Sequence, residues 1–176
     1  MTIHNIPPVF DAASHTLILG SFPSVRSREE AFFYAHPQNR FWQVMAMVFE
    51  VPAPLSTAEK KDLLLSHGIA LWDVIASCEV DGSADSTIKD VVVNDMTRIL
   101  SAAPVTRVFT NGKTADALYR KYLLPQTGRE AVCLPSTSPA NAAWSLTRLA
   151  EAWSVIRQPQ IRRYGGCRRP HRSADL

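Results

Sequence analysis

The chain is poor in cysteine: Cys78, Cys133 and Cys167 stand far apart among 176 residues and form no C-x-x-C pair. That speaks against a disulfide framework and against a zinc or iron–sulfur cradle, and a reducing cytoplasm suits the protein. No apolar run approaches the roughly 18 residues a membrane helix needs. Met1 to Phe10 also lacks a basic stretch followed by an apolar one, so neither secretion nor a membrane span is expected. An excess of positive charge is missing from the body as well. The formal net charge is +3, but six arginines from Arg157 onward against Asp175 alone make that segment +5 and leave residues 1–156 at −2. Basicity therefore belongs to the end of the chain, and charge alone marks no nucleic-acid surface on the body. There is no internal repeat.

What remains is ordinary globular material, 46% hydrophobic and 20% charged. Its length fits one core large enough for an enzyme site and is cramped for two. Residues 1–160 read as one domain, monomeric in solution, and 161–176 as a basic, disordered tail.

Thr16-Leu-Ile-Leu-Gly20 is a short apolar run ending in glycine, the pattern of a buried strand feeding a loop, here Ser21 to Pro37. Asn39 precedes Phe41, Trp42, Val44, Met45, Val48 and Phe49 at helical spacing, which predicts a helix from about Arg40 to Glu50. Ser56 or Thr57 can cap a second helix that runs to Ser66 and ends at Gly68. A strand over Ile69 to Ile75, a polar loop from Glu79 to Ser86, and helical spacing over Ile88 to Ala102 come next. Val105 to Thr110 reads as strand, Lys113 to Leu123 as helix, Ala131 to Leu134 as strand, Pro135 to Asn141 as loop, and Ala142 to Arg157 as the last helix. Strands alternating with helices imply a three-layer α/β/α domain around a central, mainly parallel four-stranded sheet.

Ligands of such sheets sit where loops leave the carboxyl ends of the strands. Four segments qualify: Gly20 to Asn39, Trp72-Asp73, Thr110 to Lys113, and Pro135 to Asn141. Gly20-Ser-Phe-Pro-Ser24 brings a small residue and two hydroxyls where backbone can approach a ligand or phosphate, or makes a plain turn. Tyr34-Ala-His-Pro-Gln-Asn-Arg-Phe-Trp42 then crowds aromatics, His36, Asn39 and Arg40 before a helix.

These segments, with Leu134-Pro-Ser-Thr-Ser-Pro-Ala-Asn141, resemble the uracil-DNA glycosylase superfamily, most closely its DNA-deoxyinosine (hypoxanthine-DNA) glycosylase branch. The resemblance runs from about Leu17 to Trp153. It implies a monofunctional enzyme that flips a deaminated base, above all hypoxanthine, out of DNA and hydrolyses its N-glycosidic bond without metal, cofactor or covalent lysine intermediate, leaving an abasic site. Mismatch-specific uracil excision is the neighbouring reading. A DNA-binding module with a decayed catalytic loop is another, because Phe22 stands where mismatch-specific relatives carry a catalytic Asn. The His usual in the family's second loop, here Pro135 to Asn141, is also replaced, by Ser136 and its neighbours.

In the deoxyinosine branch the catalytic group is the Asn of the His-Pro-x-Asn stretch, here Asn39, whose carbonyl would position water and face the cationic sugar. A helix N-cap is the alternative for this residue. The resemblance makes Tyr34 the base-stacking aromatic, with a core role as alternative, and Ser21 and Phe22 neighbours of the base. Asp73 falls where the classical uracil enzymes read the base edge, and a carboxylate could accept from hypoxanthine N1–H, which adenine lacks; a strand-end cap is the other reading. Ser24, Ser136, Thr137, Ser138 and Asn141 are expected against phosphate or sugar, with Pro139 and Ala140 as a small apolar wedge. Lys113 could hold phosphate or simply begin a helix, Arg40 and Arg148 could add local charge, and His36 could orient the loop.

Overall fold

The computed structural model describes residues 1–79 and 88–157. Its strands are β1 (Thr2–Ile3), β2 (Thr16–Gly20), β3 (Ile69–Asp73), β4 (Ile75–Glu79), β5 (Lys89–Val93), β6 (Arg107–Asn111) and β7 (Ala131–Leu134). The helices are α1 (Val25–Glu30), α2 (Phe41–Phe49), α3 (Thr57–Ser66), α4 (Thr97–Leu100), α5 (Lys113–Leu118), α6 (Leu124–Thr127) and α7 (Leu146–Trp153). The proposed tail lies outside the described residues.

Strands β3, β2, β6 and β7 form the central sheet in that order, every pair parallel. Every residue of β2 and β3 is buried, as expected for strands covered on both faces, and their apolar runs say so in sequence. Helices cover the sheet in the expected three-layer α/β/α arrangement. Helix α2 buries Phe41, Trp42, Val44, Met45, Ala46 and Val48, and Phe41 meets Trp153 of α7 edge-on at 5.8 Å. Helix α3 starts with a full capping box between Ser56 and Glu59.

A second sheet, β1-β4-β5, is antiparallel and was not expected. The strand anticipated from Ile69 to Ile75 breaks at Val74, whose N–H donates to the Gly20 carbonyl at 2.8 Å. Beyond it, β4 joins the second sheet. The helix expected over Ile88 to Ala102 is instead β5 followed by the single-turn α4. Val91-Val-Val93 is β-branched and pairs with β4, so sheet contacts override a spacing that short apolar runs do not resolve.

The first loop holds the short helix α1, capped by Ser24, whose hydroxyl accepts from Ser27 N–H. The helix from Lys113 continues past Leu123 to Thr127 through a π turn at Tyr119–Leu123. Pro125 follows that turn, and a proline ring there clashes with regular α spacing. The last helix begins at Leu146 on a Ser145 cap, not at Ala142, and closes in a 3-10 turn at Ile156. Among the described residues no helix is long and apolar enough to cross a membrane.

Candidate active site

The carboxyl ends of β2, β3 and β6 and the loop after β7 surround a cleft of about 350 Å³, near the lower end of small-ligand sites. Parallel register sets its floor, since Gly20 ends β2 directly opposite Asp73 at the end of β3. Gly20 is obligatory here for space. A Cβ on it would stand 2.4 Å from Asp73 Oδ1 and 2.8 Å from Tyr34 Oη. Asp73 is only 3% exposed, and Asn94 Nδ2 holds its carbonyl at 2.9 Å.

Behind Asp73 lies His4, 69 positions away along the chain, which no local pattern singles out. Its Nε2 donates to the Ile75 carbonyl at 2.6 Å, its Nδ1 accepts from Ile6 N–H at 3.4 Å, and Nε2 is 4.0 Å from Asp73 Oδ2. One ring nitrogen donates and the other accepts, which defines a neutral imidazole. Burial pushes its pKa down, the Ile75 carbonyl opposes this, and Arg28 adds to the lowering. His4 also meets the Phe22 ring edge-on at 5.3 Å, while the Arg28 guanidinium lies over that ring at 5.3 Å. Phe22 is thus braced as a wall of the cleft.

Tyr34 adopts φ of 51°, a left-handed conformation uncommon for an aromatic residue. The turn is pinned by Ala35 N–H donating to the buried Ser27 hydroxyl at 3.1 Å. One ring face stacks on Phe41 with centroids 4.1 Å apart, so any base partner has only the opposite face or the edge. His36 lines the cleft mouth, and its Nδ1 accepts from Gln38 N–H at 3.1 Å.

Asn39 lies on the cleft wall, but its carbonyl is already occupied. Oδ1 accepts from Phe41 N–H at 3.0 Å and from the Thr137 hydroxyl at 2.9 Å. Both lone-pair directions are engaged, which removes the expected water-positioning role from this oxygen and leaves the Nδ2 hydrogens for a ligand. The capping alternative holds in a modified form: Asn39 ties down the first turn, while Arg40 is the residue that borders α2.

Ser21, Phe22, Ser24, Tyr34, Asn39, Asp73, Ser136, Thr137, Ser138 and Pro139 all line the cleft, joined by Asn111. Lys113, Ala140 and Asn141 do not line it. Lys113 is exposed at the start of α5, Ala140 is exposed beside Pro139, and Asn141 turns its Nδ2 onto the Ser136 carbonyl at 3.0 Å. Thr137 is wholly buried, so its hydroxyl serves Asn39 and not a phosphate. The Ser136 and Ser138 hydroxyls accept from Ser138 N–H and Ala140 N–H, which leaves their own hydrogens able to donate.

Arg40 is likewise redirected. Its guanidinium donates to the carbonyls of Ser138 and Asn141 at 3.1 Å each and to that of Trp144, bracing the second loop instead of supplying charge to a groove. Arg148 lies over the Trp144 ring at 4.3 Å and donates to Ala143. Among the described residues no group of three or more His, Cys, Asp or Glu side chains could hold a metal ion.

This assembly has counterparts. Residues 7–157 match the model of the uracil DNA glycosylase superfamily. A hypoxanthine DNA glycosylase of Methanosarcina acetivorans is 35% identical over 159 residues, covering 89% of this chain and 99% of the relative. One from Methanosarcina barkeri is 31% identical over 156 residues, covering 88% and 97%. A solution NMR structure described as a uracil DNA glycosylase from Methanosarcina acetivorans superposes with a TM-score of 0.76 at 33% identity, over 89% of this chain and 98% of the other. A family match over most of the chain, with the fold to go with it, makes this protein a member of the uracil DNA glycosylase superfamily.

Proposed function

We propose that this protein is a monofunctional DNA glycosylase that excises hypoxanthine from DNA and leaves an abasic site, working as a cytoplasmic monomer. The observation that carries the base assignment is Asp73, a buried carboxylate at the cleft floor. It accepts and cannot donate, so it suits the N1–H of hypoxanthine and repels the bare N1 of adenine. The names of the two archaeal relatives support the same base.

The glycosidic carbon is shielded in a duplex, so the nucleotide must leave the stack. Hypoxanthine enters edge-first toward Asp73, walled by Phe22 and Tyr34. As the C1′–N9 bond breaks, its electron pair moves onto the purine ring while water bonds to C1′ and releases a proton to solvent. Backbone amides near Ser21 and Phe22 and the Asn39 Nδ2 hydrogens face the charge that develops on the base, where preorganised donors count most. Ser136 and Ser138 meet the phosphodiester, whereas the Ser24 hydroxyl, expected there too, accepts from Ser27 N–H and donates to Ser27 Oγ at 3.1 Å each; Pro139 with Ala140 presses into the gap left in the stack.

The test is release of hypoxanthine, uracil and xanthine from single- and double-stranded oligonucleotides. Hypoxanthine release, with strand breakage only after alkali or heat, is the expected result. Uracil release without hypoxanthine release would overturn the base assignment, and binding without any release would overturn the enzyme.

A further inference from the structure

The amide of Asn39 is held in one orientation by a chain of hydrogen bonds whose polarity can be read from both ends. At one end, Phe41 N–H can only donate, so the Asn39 atom 3.0 Å from it is the carbonyl oxygen. At the other end, Thr137 N–H donates to Asn111 Oδ1 at 3.0 Å, which fixes the Asn111 amide and directs its Nδ2 to the Thr137 hydroxyl, also at 3.0 Å. The Thr137 oxygen therefore accepts from Asn111. Its single hydrogen goes to Asn39 Oδ1 at 2.9 Å. The links join the end of β6, the second loop and the segment leading into α2, which lie 26 and 98 positions apart. Thr137 is wholly buried, so water does not compete for its hydroxyl.

We infer that Thr137 and Asn111 are positioning residues that hold Asn39 as a hydrogen-bond donor to the substrate, with Nδ2 presented to the cleft and the carbonyl turned away. The inference rests on the reading of Asn39 as catalytic. It changes what that residue does, because a donor steadies negative charge on the departing base, whereas an acceptor would orient water. It also gives the second loop a role in catalysis besides holding DNA, since its buried threonine sets the amide that the first loop carries.

The experiment is single-turnover excision of hypoxanthine from a duplex oligonucleotide, with affinity for uncleaved DNA measured in parallel. Thr137→Val removes the hydroxyl at nearly constant volume. It should slow excision by about 10- to 100-fold, the scale of a misplaced reacting group, while DNA affinity stays within about twofold. Thr137→Ser restores the hydroxyl and should restore most of the rate. Asn111→Asp keeps the acceptor for Thr137 N–H but removes the Nδ2 donor, so the threonine hydrogen turns to the new carboxylate and the rate falls as in Thr137→Val. This variant carries the test should Thr137→Val fail to fold.

Asn39→Asp separates donor from acceptor, for it retains both accepted bonds and loses the NH2. A donor role makes it as slow as Asn39→Ala, whereas a variant at or above the wild-type rate would overturn the inference. In the Asn39→Ala background Thr137→Val should add less than about twofold, because two groups acting as one unit are not additive. A full additional loss there, or a wild-type rate for Thr137→Val beside a dead Asn39→Ala, would refute the positioning role alone. Unchanged turnover in Asn39→Ala would instead refute the catalytic reading on which it rests.

Discussion

Substituting Gly20 with alanine tests the floor of the cleft with one carbon atom. Gly20 lies outside the left-handed region, so alanine meets no backbone penalty there. The conflict is purely spatial, with Asp73 Oδ1 at 2.4 Å and Tyr34 Oη at 2.8 Å from the new Cβ. Moving the carboxylate oxygen out to about 3.3 Å, the short end of carbon–oxygen contact, requires a shift of roughly 0.9 Å. Asp73 is buried and the Tyr34 ring is held against Phe41, so neither yields freely; overfilling such a place costs about 1–3 kcal/mol, and a misplacement of about 1 Å at a reacting centre costs on the order of 100-fold in rate. Single-turnover excision should therefore fall about 100-fold in Gly20→Ala while the protein remains folded by circular dichroism. Gly128→Ala is the matching control. Its φ is +63° and nothing lies within 4 Å of an added Cβ, so it should lower stability by about 1 kcal/mol through backbone strain and leave the excision rate alone. A Gly20→Ala enzyme within about twofold of wild type would show that Asp73 and Tyr34 do not form the base floor.

Asp73→Asn adds a donor beside the acceptor, so it should relax discrimination against adenine far more than it changes affinity for DNA; an unaltered base preference in the excision panel refutes the edge-reading role. Arg40→Met leaves three loop carbonyls without their charged donor and should cost about 2–4 kcal/mol, given about 1.5–3 kcal/mol for a hydrogen bond to a charged group; an unchanged melting temperature would contradict the bracing role. His4 resists protonation in the folded state because burial, and then Arg28, lower its pKa against the Ile75 bond. The unfolded chain takes up that proton below the usual histidine value of about 6.5, so this contribution to stability is present above that pH and lost as pH falls through it. His4→Gln, which can still donate to Ile75, should flatten the fall in melting temperature between neutral and acidic pH, and an identical slope would exclude His4 as its source. Ala140→Glu places a charge on the exposed loop tip and should weaken excision from duplex by about tenfold, the effect of about 1.4 kcal/mol, with a smaller loss on single strands; equal losses on both would argue against a wedge.

Local pattern determined a good deal. Thr16 to Gly20, Ile69 to Ile75 and Ala131 to Leu134 are apolar runs short enough to be strands only, and the sheet they predict is present in its parallel form, with the second run cut at Val74. The Phe41 to Phe49 helix follows from its spacing, and the motifs from Gly20 to Trp42 and from Leu134 to Asn141 carry the family. What sequence could not supply was the direction of side chains that meet across long separations. Asn39 reads as a cap or a catalyst, and only the approach of Thr137 from the far loop shows which end of its amide is spent. Arg40 reads as charge for DNA until three backbone carbonyls claim it. His4 has no local pattern at all, and Val91 to Val93 took sheet form because β4 was there to pair with it. Periodicity and capping act within a few residues, so they are written along the chain, whereas hydrogen-bond polarity and strand pairing depend on which distant groups the fold brings within 3 Å or so. Scarce cysteine, absent apolar spans and a body at −2 set the class of protein; the tertiary structure decided which of its polar atoms remain for a substrate.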